Sequence, residues 1–376
     1  MKKYKIAVLG AGMVGRAIAR DLAKDCEVMS ADLSASNLDA LKDDRINRIQ
    51  ADLAEPETVG RIVAGCDLAV NAMPGAIGFS VLERMIDAGR KVVDISFFAE
   101  DPFLLDWKAR EKGIVAAVDC GVAPGLSNII LGYHAGRMEV ERFKCYVGGL
   151  PVVREFPFEY KAPFSPSDVI EEYMRPARIV EDGRQVIRPA LSDPELLFFE
   201  GVGTLEAFNT DGLRTLLKTM DVPNMVEKTL RYPGHIGLIR ALKEAGFLDR
   251  EPLRFGEGMM RPLDFTSQVL FKKWKLEEED DEFTIMLIHI EGKTGGHEEQ
   301  VTYEILDRKD PITGNSSMAR TTGFTASSVA RLILQDKIGG PGVVAPEHIG
   351  ACGECFDFIV AELAARNVNI RRKVNV

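Results

Sequence analysis

The chain has 376 residues, 46% of them hydrophobic, six cysteines and a formal net charge of −10. At roughly 100–200 residues per domain this length predicts two domains, or one with a large insertion, and the apolar fraction supports a packed core over disorder. The acidic balance argues against a nucleic-acid partner, which clustered Lys and Arg would hold, and no apolar run approaches the ~20 residues of a membrane span.

From Lys5 to about Gly136, short apolar runs alternate with amphipathic ones. "KIAVLGAG" predicts a strand and "MVGRAIARDLA" a helix. Arg16, Arg20 and Asp21 interrupt this stretch, so a secretory leader is not expected. The strand "CEVMSAD" and the helical "LSASNLDALKD" follow. Next come the strand "INRIQADL" and the helical "PETVGRIVAG", where Pro56 suits a first turn. "DLAVNAMP", "KVVDIS" and "IVAAVDCG" predict three more strands. The helical segments "FSVLERMIDAG" and "DPFLLDWKAREKG" separate them, and helical "PGLSNIILGYHAG" closes the series. Gly89 and Gly113 stand where helix ends are expected. The strands are continuously apolar, the pattern of a parallel sheet covered on both faces. The expectation is an α/β chain whose residues 1–136 form a Rossmann-type, doubly wound parallel sheet.

Beyond Arg137 the rhythm changes. "ERFKCYVGGLPV", "DEFTIMLIHIEG" and "EEQVTYEILD" predict longer strands, and "TTGFTASSVARLILQDKI" and "ECFDFIVAELAARN" predict helices. Residues 137–376 therefore read as an α+β domain on a largely antiparallel sheet. The late helix, about residues 321–338, is expected to pack back on the first domain. The acidic run Glu277 to Glu282 is expected to be a solvated hairpin turn.

"GAGMVG" places Gly10, Gly12 and Gly15 in G-x-G-x-x-G spacing between a strand and the helix opened by Met13 and Val14. The spacing suits a tight turn, close approach to a pyrophosphate, and close helix–strand packing, with free N–H groups facing the phosphates. The second strand ends in Asp32, 22 residues after Gly10, followed by Leu33 where an arginine would be needed for a 2′-phosphate. NAD is expected, with NADP less favoured. Ligands in such folds sit beyond the carboxyl ends of strands. Those ends carry Asp52 and Leu53, then Asn71, Ala72, Met73 and Pro74, then Ile95 and Ser96, then Cys120 and Gly121, all expected at the cofactor.

These residues resemble the saccharopine dehydrogenase family (reductase type), and most closely its lysine 6-dehydrogenase branch. "VLGAGMVG", "DCGVAPGLSN", "CYVGGLP", "GTLEAFNTDG", "KTLRYPGH", "ARTTGFTASSVARLI" and "GVVAPEHI" carry the resemblance over nearly the whole chain. It implies a Rossmann domain joined to a domain on a mixed or antiparallel sheet, forming a homodimer through that sheet. It also implies NAD(P)-linked oxidation of an amine on an amino-acid side chain. In the lysine branch, the ε-amino carbon becomes an imine and then a semialdehyde that closes to a piperideine ring. The alternatives are a saccharopine reductase-type activity and, in another class, a non-catalytic dinucleotide-binding sensor.

Such chemistry needs a proton acceptor for the amine and a cation for the substrate carboxylate. Asp119, His235 and Glu206 are the candidates for proton handling. Arg231 is the expected carboxylate clamp, with Asn209, Thr210, Asp211 and Tyr160 as further pocket residues. Cys352-Gly-Glu-Cys355 matches C-x-x-C but lacks a second ligand pair, so no metal site is expected. The other cysteines, 26, 66, 120 and 145, show no disulfide framework, and a reduced, cytoplasmic protein is expected.

Overall fold

The computed structural model describes residues 3–41 and 43–375. Six strands build the first sheet in chain order: β1 (Lys5–Leu9), β2 (Glu27–Asp32), β3 (Ile46–Gln50), β4 (Leu68–Asn71), β5 (Lys91–Asp94) and β6 (Val115–Ala117). The rest of the chain adds β7 (Glu139–Pro151), β8 (Ala177–Glu181), β9 (Arg184–Arg188), β10 (Glu195–Phe199), β11 (Gly203–Asn209) and β12 (Asn224–Arg231). After these come the short pair β13 (Leu253–Phe255) and β14 (Gly258–Met260), the long hairpin β15 (Glu282–Thr294) and β16 (His297–Arg308), and finally β17 (Gly342–Val344) and β18 (Ile370–Asn375).

The first sheet is wholly parallel, in the order β17-β6-β5-β4-β1-β2-β3. Its first six strands follow the doubly wound arrangement, with the switch of direction between β1 and β4. The strands are buried because helices cover both faces: Ile6, Ala7, Val8 and Leu9 are all fully buried. Strand β17 was not anticipated. Three residues are too few for a periodicity to stand out. It extends the sheet beside β6 and brings residues 342–344 into the first domain.

The second sheet has nine strands, and the path β10-β11-β12-β7-β15-β16-β18 forms its main line. Only β12 and β7 pair in parallel; the other pairings are antiparallel. Sequence reading recovers β7, β15 and β16, which are long, and misses β8 to β12, of which β8, β9 and β10 have only five residues each.

Helix Ser317–Leu334 lies between the two sheets and is buried on nearly every side. It packs on helix Met13–Leu22, where Gly323 faces Ala17 and Ile18. Arg331 donates to Asp21 at 2.8 Å and to Asp25 at 2.9 Å, and Arg366 donates to Asp21 at 2.7 Å. These contacts join the late helix to helix Met13–Leu22. Residues beyond 137 thus also contact the first sheet and its helices: helix Ser317–Leu334 and Arg366 meet helix Met13–Leu22, and β17 joins the first sheet. The acidic run divides too. Glu277 to Asp281 form an exposed turn region, whereas Glu282 opens β15, is buried, and accepts from the backbone N–H and hydroxyl of Ser317. The hairpin turn of this sheet is Gly295–Gly296, between β15 and β16.

Candidate functional site

One cleft of about 690 Å³ runs along the carboxyl ends of the parallel strands and under the second sheet. Its first half is the dinucleotide site. Gly10 adopts φ +99°, and a Cβ there would meet the Ala72 carbonyl oxygen at 2.4 Å. A Cβ on Gly15 would sit 2.0 Å from the Gly10 carbonyl oxygen, so helix and strand close only around glycine. At Gly12 nothing lies within 4 Å of the missing Cβ, which leaves open the space a pyrophosphate needs above the helix N-terminus. Asp32 accepts from the backbone of Ala11 and Ser34, each at 2.7 Å, and this holds its carboxylate at the edge of the cleft. Met13, Val14, Leu33, Asp52, Leu53, Ala72, Met73, Pro74, Ile95, Ser96 and Gly121 line the same half. These residues fit a nicotinamide dinucleotide.

Two of the residues expected at the cofactor lie beneath the cleft. Asn71 is fully buried and donates to the Gly78 carbonyl at 2.9 Å and to Asp94 at 2.6 Å. Cys120 is fully buried against the Val118 carbonyl, and burial pushes its thiol pKa well above the ordinary value. Both belong to strand or turn interiors whose side chains alternate away from the ligand.

The second half lies between the β6–helix turn and the second sheet. Asp119 sits there with φ +53°, buried and fixed by Arg214. Nε of Arg214 lies 3.1 and 3.2 Å from the two carboxylate oxygens, and Nη2 donates to Oδ1 at 2.9 Å. Arg214 also donates to the Phe98 carbonyl. Asp119 therefore lines the cleft, but its two oxygens are both engaged.

Along β12, Glu227, Thr229 and Arg231 present one face to the cleft, as strand alternation requires. Arg231 is 2% exposed and donates to Glu172 at 3.0 Å, to the Tyr173 hydroxyl at 3.0 Å and to the Tyr160 hydroxyl at 3.4 Å. Glu172 and Asp168 project from helix Pro166–Met174, four residues apart and so on one face. Asp168 accepts from the Gly75 backbone at 3.3 Å, which ties this helix to the first domain. Burial raises the carboxyl pKa values: Asp168 to about 6, Glu172 upward, and Glu227 to about 8 with the nearby acids Glu172, Asp211 and Asp119 adding to it.

Several expected residues are not in the cleft. His235 lies one layer behind it, with Nε2 3.0 Å from the Tyr173 hydroxyl and Nδ1 2.9 Å from the Phe158 carbonyl. Burial, and then the Arg231 charge, pull its pKa down to about 3, so it is a neutral strut. Glu206 lies outside the cleft, opposite Arg231 on the neighbouring strand, and accepts from the Gly234 N–H at 3.1 Å at the start of helix His235–Glu244. Asn209 is buried against Ser192 and Asp193, and Asp211 is bound bidentately by Arg178 at 2.8 and 2.7 Å. Tyr160 stacks on Arg231, 4.4 Å from ring centre to guanidinium carbon, as the wall behind the arginine. Thr210 does line the cleft and shares a 3.0 Å hydrogen bond with Thr229.

Sequence reasoning missed Glu172, Asp168, Glu227 and Arg214. Period-two alternation counted back from Arg231 was a signal for Glu227. Nothing local marked the other three, because their partners lie 59 to 95 residues away.

A parallel nucleotide-type sheet, a glycine turn with an acid at the second strand's end, and a cleft under a second sheet that carries buried acids and an arginine define a two-domain oxidoreductase of the nicotinamide dinucleotide-binding class. Residues 6–117 match the family model described as the saccharopine dehydrogenase NADP binding domain, and residues 121–368 match the saccharopine dehydrogenase C-terminal domain. The chain belongs to the saccharopine dehydrogenase family. It is 25% identical over 254 residues to a saccharopine dehydrogenase [NADP(+), L-glutamate-forming] from Pyricularia oryzae, covering 63% of this chain and 56% of that one. It is 22% identical to a mitochondrial α-aminoadipic semialdehyde synthase from Mus musculus, covering 96% of this chain and 47% of that protein. The chain thus spans about half the length of these two relatives. Among solved structures it resembles apo saccharopine dehydrogenase (L-Glu forming) from Saccharomyces cerevisiae. The TM-score is 0.78 at 19% identity, over 99% of this chain and 100% of the other.

Proposed function

We propose that this chain is a dinucleotide-dependent dehydrogenase that oxidises the carbon–nitrogen bond at the distal amine of an amino acid, in the manner of saccharopine dehydrogenases. The observation that carries this reading is the Arg231–Glu172 pair, a guanidinium and a carboxylate 3.0 Å apart in the cleft. Opposite charges side by side complement an α-amino acid head, which offers a carboxylate and an ammonium in the same spacing. A bound nicotinamide would supply the hydride acceptor for the amine-bearing carbon. The chain's own work is to hold the head group at Arg231 and Glu172, to place the reacting carbon beyond Gly121, and to take up the proton of the ammonium. General acid–base help of this kind is worth roughly 10²–10⁴-fold.

Two substrates fit that reaction. The names of the relatives support saccharopine, a secondary amine. A second reading, oxidation of L-lysine at its ε-carbon, is supported by the charges of the cleft. Asp119, Asp168, Glu172 and Glu227 line its substrate half against Arg231. Lysine brings two ammonium groups and one carboxylate to these acids, whereas saccharopine brings more carboxylates. For the cofactor we propose NAD, supported by the Asp32 carboxylate at the cleft edge; the NADP-type relatives and family model weigh on the other side. The test is absorbance at 340 nm with saccharopine or L-lysine, each with NAD and with NADP. A protein that binds a dinucleotide but reduces it with neither substrate would be a binding protein, and the proposal would fall.

A further inference from the structure

Glu227 occupies a position that structural carboxylates do not. It is 5% exposed and faces the cleft. Among the described residues no donor bonds its carboxylate, whereas Asp119, Asp168, Glu172, Asp211 and Glu347 each have one. Room for it is made by Gly212, where a Cβ would stand 1.7 Å from Glu227 Oε1. A buried carboxylate without partners is costly unless a ligand completes it. The charges facing it come from every neighbouring element: Glu172 from helix Pro166–Met174, Asp211 from the turn after β11, Asp119 from the β6 turn, and Arg214 as the cation. Arg214 is occupied with Asp119, so the missing partner is a cation supplied from the cleft.

Along β12, Glu227 and Arg231 are four residues apart, so their Cα atoms lie ~13 Å from each other on the same face. A carboxylate and an amine at opposite ends of an extended chain can meet both residues. An α-amine beside the carboxylate cannot.

We propose that Glu227 binds the distal ammonium of the substrate and accepts its proton, while Arg231 holds the carboxylate at the other end of the same strand face. The inference rests on the carbon–nitrogen oxidation proposed above and applies to a primary or a secondary distal amine. Entry of the ammonium displaces any proton on Glu227 to solvent. The ammonium N–H then gives its proton to the carboxylate and leaves a lone pair on nitrogen. That pair forms the C=N bond as the carbon loses hydride to the dinucleotide. Water adds to the resulting iminium and releases ammonia or the amine, together with the semialdehyde.

The test uses the full chain without dinucleotide. Isothermal calorimetry in two buffers of different ionisation enthalpy counts protons released at pH 7 when L-lysine, saccharopine or L-norleucine binds. Norleucine keeps the head and chain but lacks the distal amine. With burial and the neighbouring acids raising Glu227 to about 8, most of it carries a proton at pH 7, so wild type should release up to one proton with lysine or saccharopine and none with norleucine. Glu227→Gln should release none with any of the three. Gly212→Ala, which displaces the carboxylate, should behave like Glu227→Gln while leaving norleucine binding in place. In turnover, Glu227→Gln should lower kcat by roughly 10²–10⁴-fold and remove the rise of kcat/KM through pH 8. Equal proton release by Glu227→Gln and wild type, or a kcat within threefold of wild type, overturns the assignment of Glu227. Failure of every distal amine to reduce a dinucleotide in wild type overturns the parent reading instead.

Discussion

Replacing Asp119 with Asn separates the charge at this position from its backbone geometry. Asp119 carries φ +53°, a conformation that Asn tolerates about as well as Asp, so the exchange leaves the turn intact and removes only the negative charge. Arg214 would then stand 3% exposed with the Phe98 carbonyl and the rings of Phe97 and Phe98 as its remaining partners. Removing one member of a buried ion pair costs about 3–5 kcal/mol, because the other charge is left uncompensated. In a chain of this size, with about 2 °C in Tm per kcal/mol, the apparent Tm should fall by roughly 6–10 °C. Asp119→Ala should fall further, by an added ~1–2 kcal/mol for the left-handed backbone. The paired change Asp119→Leu with Arg214→Met should recover at least half of the loss, since apolar replacement of both partners is often neutral. Thermal unfolding followed by circular dichroism reads all of these. A Tm for Asp119→Asn within about 1 °C of wild type would show that the pair does not join the β6 turn to the second domain as argued.

The remaining expectations concern the cleft. Asp32→Ala should raise the NADP/NAD ratio of kcat/KM by about tenfold or more, and an unchanged ratio would remove Asp32 as the source of cofactor preference. Arg231→Lys should raise KM for the amino acid much more than KM for the dinucleotide, because a point charge replaces a fork held between Glu172 and Tyr173; equal effects on both would indicate misfolding. His235→Gln should leave the pH–rate profile between pH 6 and 9 unchanged, since His235 stays neutral with a pKa near 3, yet lose about 1–3 kcal/mol of stability from unpaired Tyr173 and Phe158 groups; a shifted profile would restore it to the chemistry. Asp168 holds its proton more tightly when folded, up to about 6 from 3.8, so its contribution is full at low pH and is lost as pH rises through about 4 to 6. Asp168→Asn, which still accepts from Gly75, should flatten that decline by up to about 3 kcal/mol; parallel stability curves for the two proteins across this window would refute the shift.

The Rossmann half is legible in short stretches of the chain. "KIAVLGAGMVG" combines an apolar strand, glycines and a helix start within one local stretch, and the residues it places at the dinucleotide line the cleft with two exceptions. Asn71 and Cys120 lie at the same strand ends but point inward, and strand-end position alone does not say which way a side chain turns. In the substrate half, local reading found Arg231, Asp119 and Thr210 at the cleft. His235, Glu206, Asn209, Asp211 and Tyr160 share motifs with those residues but do not line the cleft, because their side chains are engaged elsewhere in the fold. Packing of distant segments brings Glu172 to Arg231 across 59 residues and Arg214 to Asp119 across 95. It also adds the three-residue strand Gly342–Val344 to the edge of the first sheet. Local sequence encodes turns and periodicity, which act over a few residues. The partners of a buried charge are set by how distant segments pack, and packing is a property of the whole chain.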